Sequence, residues 1–260
     1  MTTNHLILDF SHVYCDENIP QNTGIHWLDC SEIEECDLYC SRQAEEKIRE
    51  KIKPYGIHGI HFLDSGNYHY VTEIMTSQIQ KEFQLVVFDH HTDMQKPMIE
   101  HMTSCGDWAE KVLETNPWLQ QLVLIGPQAK DIEQLYREND GLMNRKEISE
   151  KLLTFSAEEI HTREDKNKIS KIKKNLPVYI SIDKDILDKQ YTETNWSQGN
   201  MSLPMLERLL SHFLENGNIL GIDICGECQQ GIPLPEYLQA EELNEETNQK
   251  LFEFLSHYIL

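Results

Sequence analysis

Residues 85–93 read LVVFDHHTD. The first four are apolar without a break, and the next five are carboxylate, imidazole and hydroxyl. A short continuous apolar run reads as a strand buried on both faces, the habit of parallel sheets in α/β proteins. The polar residues fall where that strand leaves the sheet. Asp89, His91 and Asp93 are two apart, so in extended chain their side chains point to one side. Three groups able to ligate a metal therefore close one buried strand.

Outward from this stretch the pattern recurs. Residues 178–185, VYISIDKD, end a second apolar run in Asp183 and Asp185, again two apart, with Asp188 just beyond. Residues 60–64, IHFLD, lead into SGNYHY and supply His69. Further candidate strands are LILDF (6–10), LVLIG (122–126), LLTFS (152–156), ILGIDI (219–224) and a weaker IHWLD (25–29). Helical patterns over 41–52, 107–116, 131–139 and 164–175 lie between them. After Ser202 the residues Leu203, Leu206, Leu209, Leu210, Phe213 and Leu214 share one helical face, with Ser202 as its cap and Gly217 as its stop. Leu251, Phe254, Leu255 and Tyr258 form a last stripe. These stripes read as core.

Strand–helix alternation of this kind predicts a mostly parallel sheet covered by helices on both faces. No Gly/Pro/Ser-rich linker, repeat or low-complexity tract interrupts residues 1–260, which reads as one α/β domain. Ligands of such sheets collect beyond the carboxyl ends of the strands, where the Asp and His residues lie.

Composition narrows the function. Lys and Arg total 23 against 44 Asp and Glu, a formal charge of −21 over 260 residues. That charge argues against nucleic acid and anionic membranes as partners. No apolar run approaches the ~20 residues of a membrane helix, and MTTNHLILDF lacks the basic start of a signal peptide. The seven scattered cysteines predict reduced thiols and a cytoplasmic protein. Cys36 and Cys40, and Cys225 and Cys228, read as free thiols rather than a four-cysteine zinc site. No Gly-rich phosphate loop is present.

Four aspartates and two imidazoles gathered at one sheet end need partners, because buried charge is costly unpaired. Two divalent cations would offset the four aspartates charge for charge. Oxygen and imidazole donors without thiolate suit manganese better than a structural zinc.

These segments resemble the ureohydrolases: arginase, agmatinase and formiminoglutamase. That family's GGDHS-like turn, DAHxD strand end and SxDxD strand end correspond to GNYHY (66–70), DHHTD (89–93) and SIDKD (181–185), in the same order. In the first segment Gly66 and His69 carry the match. IGPQAKD (125–131) and TFSAEEI (154–160) extend it. The resemblance implies a three-layer arginase/deacetylase-like fold of about eight strands and a homo-oligomer. It implies two Mn2+ ions per chain, with Asp89 and Asp183 bridging them, His69 and Asp93 completing one site, and His91 and Asp185 the other. A bridging water would lose a proton and attack the carbon of a small guanidino, amidino or formimino compound, breaking a C–N bond.

Other roles implied by the resemblance fall on weaker matches. His101, eight residues beyond Asp93, is a candidate proton shuttle, with a surface histidine as the alternative. Glu227 is the candidate anchor for a guanidinium. It stands one position later than the family's glutamate, a slip that a bulge at Gly226 would restore. Asp131 is a candidate contact for a substrate amine. Cys105 is a candidate pocket residue. Tyr191 and Trp196 stand where the family has small residues, which predicts a reshaped pocket with Trp196 in contact with substrate. An amide hydrolase on the same fold, as in the deacetylases, and a metal-binding protein without hydrolase activity are the competing readings.

Overall fold

The computed structural model describes residues 3–14, 24–138, 145–162, 166–215, 218–228 and 231–259. Its strands are β1 (His5–Asp9), β2 (Ile25–Asp29), β3 (Tyr39–Cys40), β4 (Ile60–Phe62), β5 (Phe83–Phe88), β6 (Thr103–Ser104), β7 (Leu119–Ile125), β8 (Leu152–Phe155), β9 (Val178–Asp183) and β10 (Ile219–Cys225). Its helices are α1 (Arg42–Ile52), α2 (Val71–Thr76), α3 (Trp108–Thr115), α4 (Ala129–Glu138), α5 (Lys146–Ser149), α6 (Ala157–Thr162), α7 (Lys166–Ile169), α8 (Leu203–Leu214) and α9 (Leu234–Ser256).

Eight strands form one sheet in the order β2-β1-β4-β10-β9-β5-β7-β8. Every pairing in it is parallel, so the sheet goes beyond the mostly parallel expectation. Its members are the eight runs read from the sequence. Alternation along β5 splits the core into two layers. Leu85 and Val87 face one layer with Ile48 of α1, Ile74 of α2 and Trp108 of α3. Val86 and Phe88 face the other with Leu206 and Leu210 of α8 and Leu251 and Leu255 of α9. This gives the expected helix–sheet–helix architecture.

The differences are local. β3 and β6 form a separate antiparallel pair, with Tyr39 opposite Ser104. Two-residue strands have no period to read. Ser41 caps α1 as its pattern suggests, its hydroxyl accepting from the Ala44 amide at 3.2 Å. Ser202 holds the N-cap position of α8, but its side chain makes no capping bond, and a proline in the first turn favours the helical start instead. Of the helix expected over 164–175, only Lys166–Ile169 is helical among the described residues. Gly217, Asn139 and the start of that 164–175 stretch lie outside the described residues. Among the described residues no helix is long and apolar enough to cross a membrane.

For function, the important consequence is the strand order. β4, β10, β9 and β5 are consecutive neighbours at the centre of the sheet. Register sets Cys225 beside Asp183 and Phe88 beside Ile182. The chain segments leaving these four strands therefore start from one place.

Candidate metal centre

Each candidate ligand is delivered by a different local device. Asp89 follows directly on β5, and Asp183 is the last residue of β9. Asp93 sits in a left-handed backbone conformation, φ 49°, which an aspartate tolerates better than most side chains. Trp108, at the start of α3, donates its indole N–H to Asp93 Oδ2 at 2.6 Å. His69 follows a 3-10 turn over Gly66–Tyr68 and leads into α2. A Cβ on Gly66 would lie 2.8 Å from the Trp196 ring and 3.0 Å from Asp183 Oδ2, so the turn needs glycine to come this close.

The six residues come together in two overlapping groups. His69 Nδ1 lies 2.9 Å from Asp93 Oδ2, 3.2 Å from Asp89 Oδ2 and 3.6 Å from Asp183 Oδ2. His91 Nδ1 lies 2.8 Å from Asp185 Oδ2 and 3.5 Å from Asp89 Oδ1. Asp89 thus turns one oxygen to each group. Asp183 belongs to the His69 group alone, its Oδ1 accepting from the Asp185 amide at 2.9 Å. All but His91 are buried.

Hydrogen bonding behind His69 fixes its tautomer. Asp223 is fully buried on β10, and its carboxylate accepts from the Thr72 hydroxyl at 2.8 Å and from the Tyr179 hydroxyl at 2.8 Å. The Thr72 proton is thereby committed. Ser181 Oγ, 3.0 Å from Thr72 Oγ1, must donate to it, and so accepts from His69 Nε2 at 2.8 Å. Nε2 carries the proton and Nδ1 presents a lone pair to the carboxylates. His69 Nδ1, Asp89 Oδ2 and Asp185 Oδ2 are buried atoms with no hydrogen-bond partner; the short distances above lack hydrogen-bond geometry. Lone-pair donors this close repel unless a proton or a cation lies among them.

The electrostatics agree. Burial works against a charged His91, yet the Asp185 and Asp89 carboxylates outweigh it and push its pKa up to about 12. Burial likewise opposes charge on His69, which Cys225, Asp89 and Asp93 hold well above the usual histidine range. Burial, then the neighbouring carboxylates, raises Asp183, and burial with Asp89 raises Asp185. Without a cation the group holds protons strongly. The donor set and these partnerless atoms fit two divalent cations.

A cavity of about 220 Å³ opens over the cluster, lined by Tyr39, Gln95, Cys105, Gly106 and Trp196 besides the candidate ligands. Trp196 lines this cavity, its indole N–H bonded to Asn67 Oδ1 at 3.0 Å and its ring edge-on to His91. Cys105 is also at the cavity. Four residues named from the sequence, Glu227, His101, Asp131 and Tyr191, do not line this cavity. Glu227 is fully buried and does not line the cavity. Gly226 takes φ +99°, and instead of restoring the slipped glutamate this turn delivers it to Lys184 Nζ and to Asn248 Nδ2. His101 is exposed, in a left-handed conformation, and is not among the cavity residues. Asp131 lines a neighbouring groove on the outer side of His91, with Gln128 and Lys130. Tyr191 packs against the α8–α9 layer. The sequence reading missed two participants. One is Lys184, whose buried ammonium no local pattern announces. The other is Cys225, whose Sγ donates to Asp183 Oδ2 at 3.2 Å and which groups with His69 and Asp183.

Fold and cluster together define an α/β protein with a candidate two-cation centre at the carboxyl end of a parallel sheet. Residues 24–227 match the model of the arginase family, and the chain belongs to that family. An uncharacterised protein of Thermotoga maritima is 29% identical over 253 residues, covering 97% of this chain and 91% of its own. Among solved structures, agmatine ureohydrolase of Thermoplasma volcanium superposes with TM-score 0.61 at 15% identity, covering 99% of this chain and 88% of its own. Arginase from Bacillus subtilis does so with TM-score 0.61 at 12% identity, over 95% and 98%. Trypanosoma cruzi formiminoglutamase with Mn2+ gives TM-score 0.59 at 12% identity, over 83% and 71%. At such identities these structures establish the shared fold.

Proposed function

We propose that the protein is a binuclear metal hydrolase that cleaves a C–N bond of a small guanidino, amidino or formimino compound. The observation carrying this reading is the set of buried, partnerless atoms His69 Nδ1, Asp89 Oδ2 and Asp185 Oδ2. His69, Asp93 and Asp183 would hold one divalent ion, manganese being the first to test. His91 and Asp185 would hold the second, and Asp89 would serve both. When bound, the ions supply Lewis acidity and a lowered pKa for attacking water.

The chain's own residues do the rest. Asp223, through Thr72 and Ser181, keeps the His69 lone pair turned inward. Trp196 and Tyr39 wall the cavity and limit substrate size and water entry. The cavity's small volume suits a compact substrate or the reacting end of a longer one. One observation favours a second reading on the same fold, hydrolysis of a neutral amide. Glu227, the carboxylate that would orient a guanidinium, is held by Lys184.

Metal analysis joined to a substrate panel tests both readings. We expect two ions per chain after loading, and release of urea, ammonia or formamide from at least one guanidino, amidino or formimino compound. Loaded protein that turns over amides alone supports the second reading. Loaded protein inert on every C–N substrate rejects hydrolysis.

A further inference from the structure

The sulfur of Cys225 lies on the floor of the candidate centre, and the donor set read from the sequence did not include it. Parallel register pairs Cys225 of β10 with Asp183 of β9, as it pairs Asp223 with Ser181 two residues earlier. Tyr179, Asp223, Ser181 and Cys225 thus face the same layer as His69. Gly226 turns the chain away immediately afterwards, and a Cβ there would come within 2.6 Å of Asp183 Oδ1. Cys225 is 1% exposed, so its sulfur is set by the sheet rather than by a loop.

The distances are those of shared coordination. Cys225 Sγ lies 3.2 Å from Asp183 Oδ2, which lies 3.6 Å from His69 Nδ1. Zinc–sulfur bonds of about 2.3 Å and zinc–nitrogen or –oxygen bonds of about 2.0–2.1 Å imply tetrahedral separations of about 3.3–3.4 Å between nitrogen and oxygen and about 3.5–3.6 Å from sulfur to either, within about 0.4 Å of the distances here. The partnerless Nδ1 of His69 is an independent mark of a ligand at this spot, because it is buried and aimed into the same group.

We propose that Cys225 is a ligand of the ion held by His69 and Asp183, making this position a nitrogen–oxygen–sulfur site that selects a borderline cation such as zinc or cobalt over manganese. The inference rests on the metal-centre reading above. The His91–Asp185–Asp89 position has no sulfur and keeps its preference for harder ions. On binding, the thiol proton leaves to bulk water and the sulfur lone pair forms the metal bond, with no change of oxidation state. The two positions of one centre then differ in chemistry, and a mixed pair of metals is its natural filling.

Cobalt(II) titration of the metal-free, reduced chain tests this. Stoichiometry is read by elemental analysis and ligation by near-ultraviolet absorption. The expected result is bound cobalt with a sulfur-to-cobalt charge-transfer band that saturates at one ion per chain. In Cys225→Ser, shown by circular dichroism to be folded, the band is lost while cobalt still binds. Zinc-over-manganese preference at one position falls by about ten-fold or more in that variant. Cobalt bound to the wild-type chain without the band overturns this inference and leaves the metal centre standing. A band that persists in Cys225→Ser also overturns it. Failure to bind any cobalt, zinc or manganese overturns both.

Discussion

Thr72 has one hydroxyl proton, and giving it to Asp223 decides which nitrogen of His69 faces the cluster. Replacing Thr72 by Val breaks the relay, frees the His69 ring to take either tautomer, and should weaken metal binding about 10–100-fold. Calorimetric titration reads that loss; an unchanged affinity would remove the relay from the account. Lys184 makes a separate test. It and Glu227 are both fully buried and paired. Lys184→Met leaves the Glu227 carboxylate with Asn248 as its remaining side-chain partner among the described residues, a cost of about 3–5 kcal/mol. Lys184→Met with Glu227→Leu should recover most of it, and a double-mutant cycle in urea measures the coupling. At this scale the sequence was legible where spacing did the work. Asp89, Asp93, Asp183 and Asp185 all reach the cluster, but Asp93 takes φ 49° and Asp185 lies in a 3-10 turn, so the extended two-residue period holds only as far as the strand ends. The direction of Glu227 was not legible, because Gly226, directly after β10, takes φ +99° and a period of two no longer says where side chains point. Nor does sequence show that Cys225 stands level with Asp183, which is a matter of register between strands far apart in the chain.

Elements follow the same division. Short apolar runs named the eight strands of the main sheet, β2 most weakly, and the leucines of α8 named its buried face. Leu206 and Leu210 are fully buried there, whereas Leu209 is only partly so. Leu206→Ala should therefore cost about 2–5 kcal/mol and Leu209→Ala distinctly less, read as separate shifts in denaturation midpoint. Equal losses would contradict the packing described. What escaped were elements whose cause is tertiary. The β3–β6 pair is two residues on each side, and α2 is a six-residue helix entered from the 3-10 turn before His69. α2 consists wholly of buried residues, so it has no amphipathic period to betray it.

For the whole molecule the decisive quantity is the proton inventory of the centre. Against the opposing effect of burial, the Asp185 and Asp89 carboxylates push the pKa of His91 from its ordinary value up to about 12. Its stabilisation is full below the unfolded histidine pKa and is lost as pH rises toward the folded one. Asp183 and Asp185 are also raised, so the folded, metal-free chain binds more protons than the unfolded one, and their effect has the same sign. Metal-free protein should thus lose thermal stability between about pH 7 and pH 9. Bound cations replace those protons, so the rise in melting temperature on loading should grow over the same interval. Thermal melts at several pH values with and without metal check both trends. A metal-free chain that gains stability across that window would contradict the arrangement. His5, which burial drives down to about 4, contributes with the opposite sign only below this interval.

The Lys184–Glu227 pair also bears on the chain's history. Each partner is tolerable only in the other's presence, so neither is freely exchanged alone. A variant turning the Glu227 carboxylate toward the cavity would first have to lose the lysine, passing through a destabilised intermediate. The pair works as a ratchet. Whatever compound the cavity accepts, the route to a different diet is obstructed by a buried pair that does not itself line the cavity.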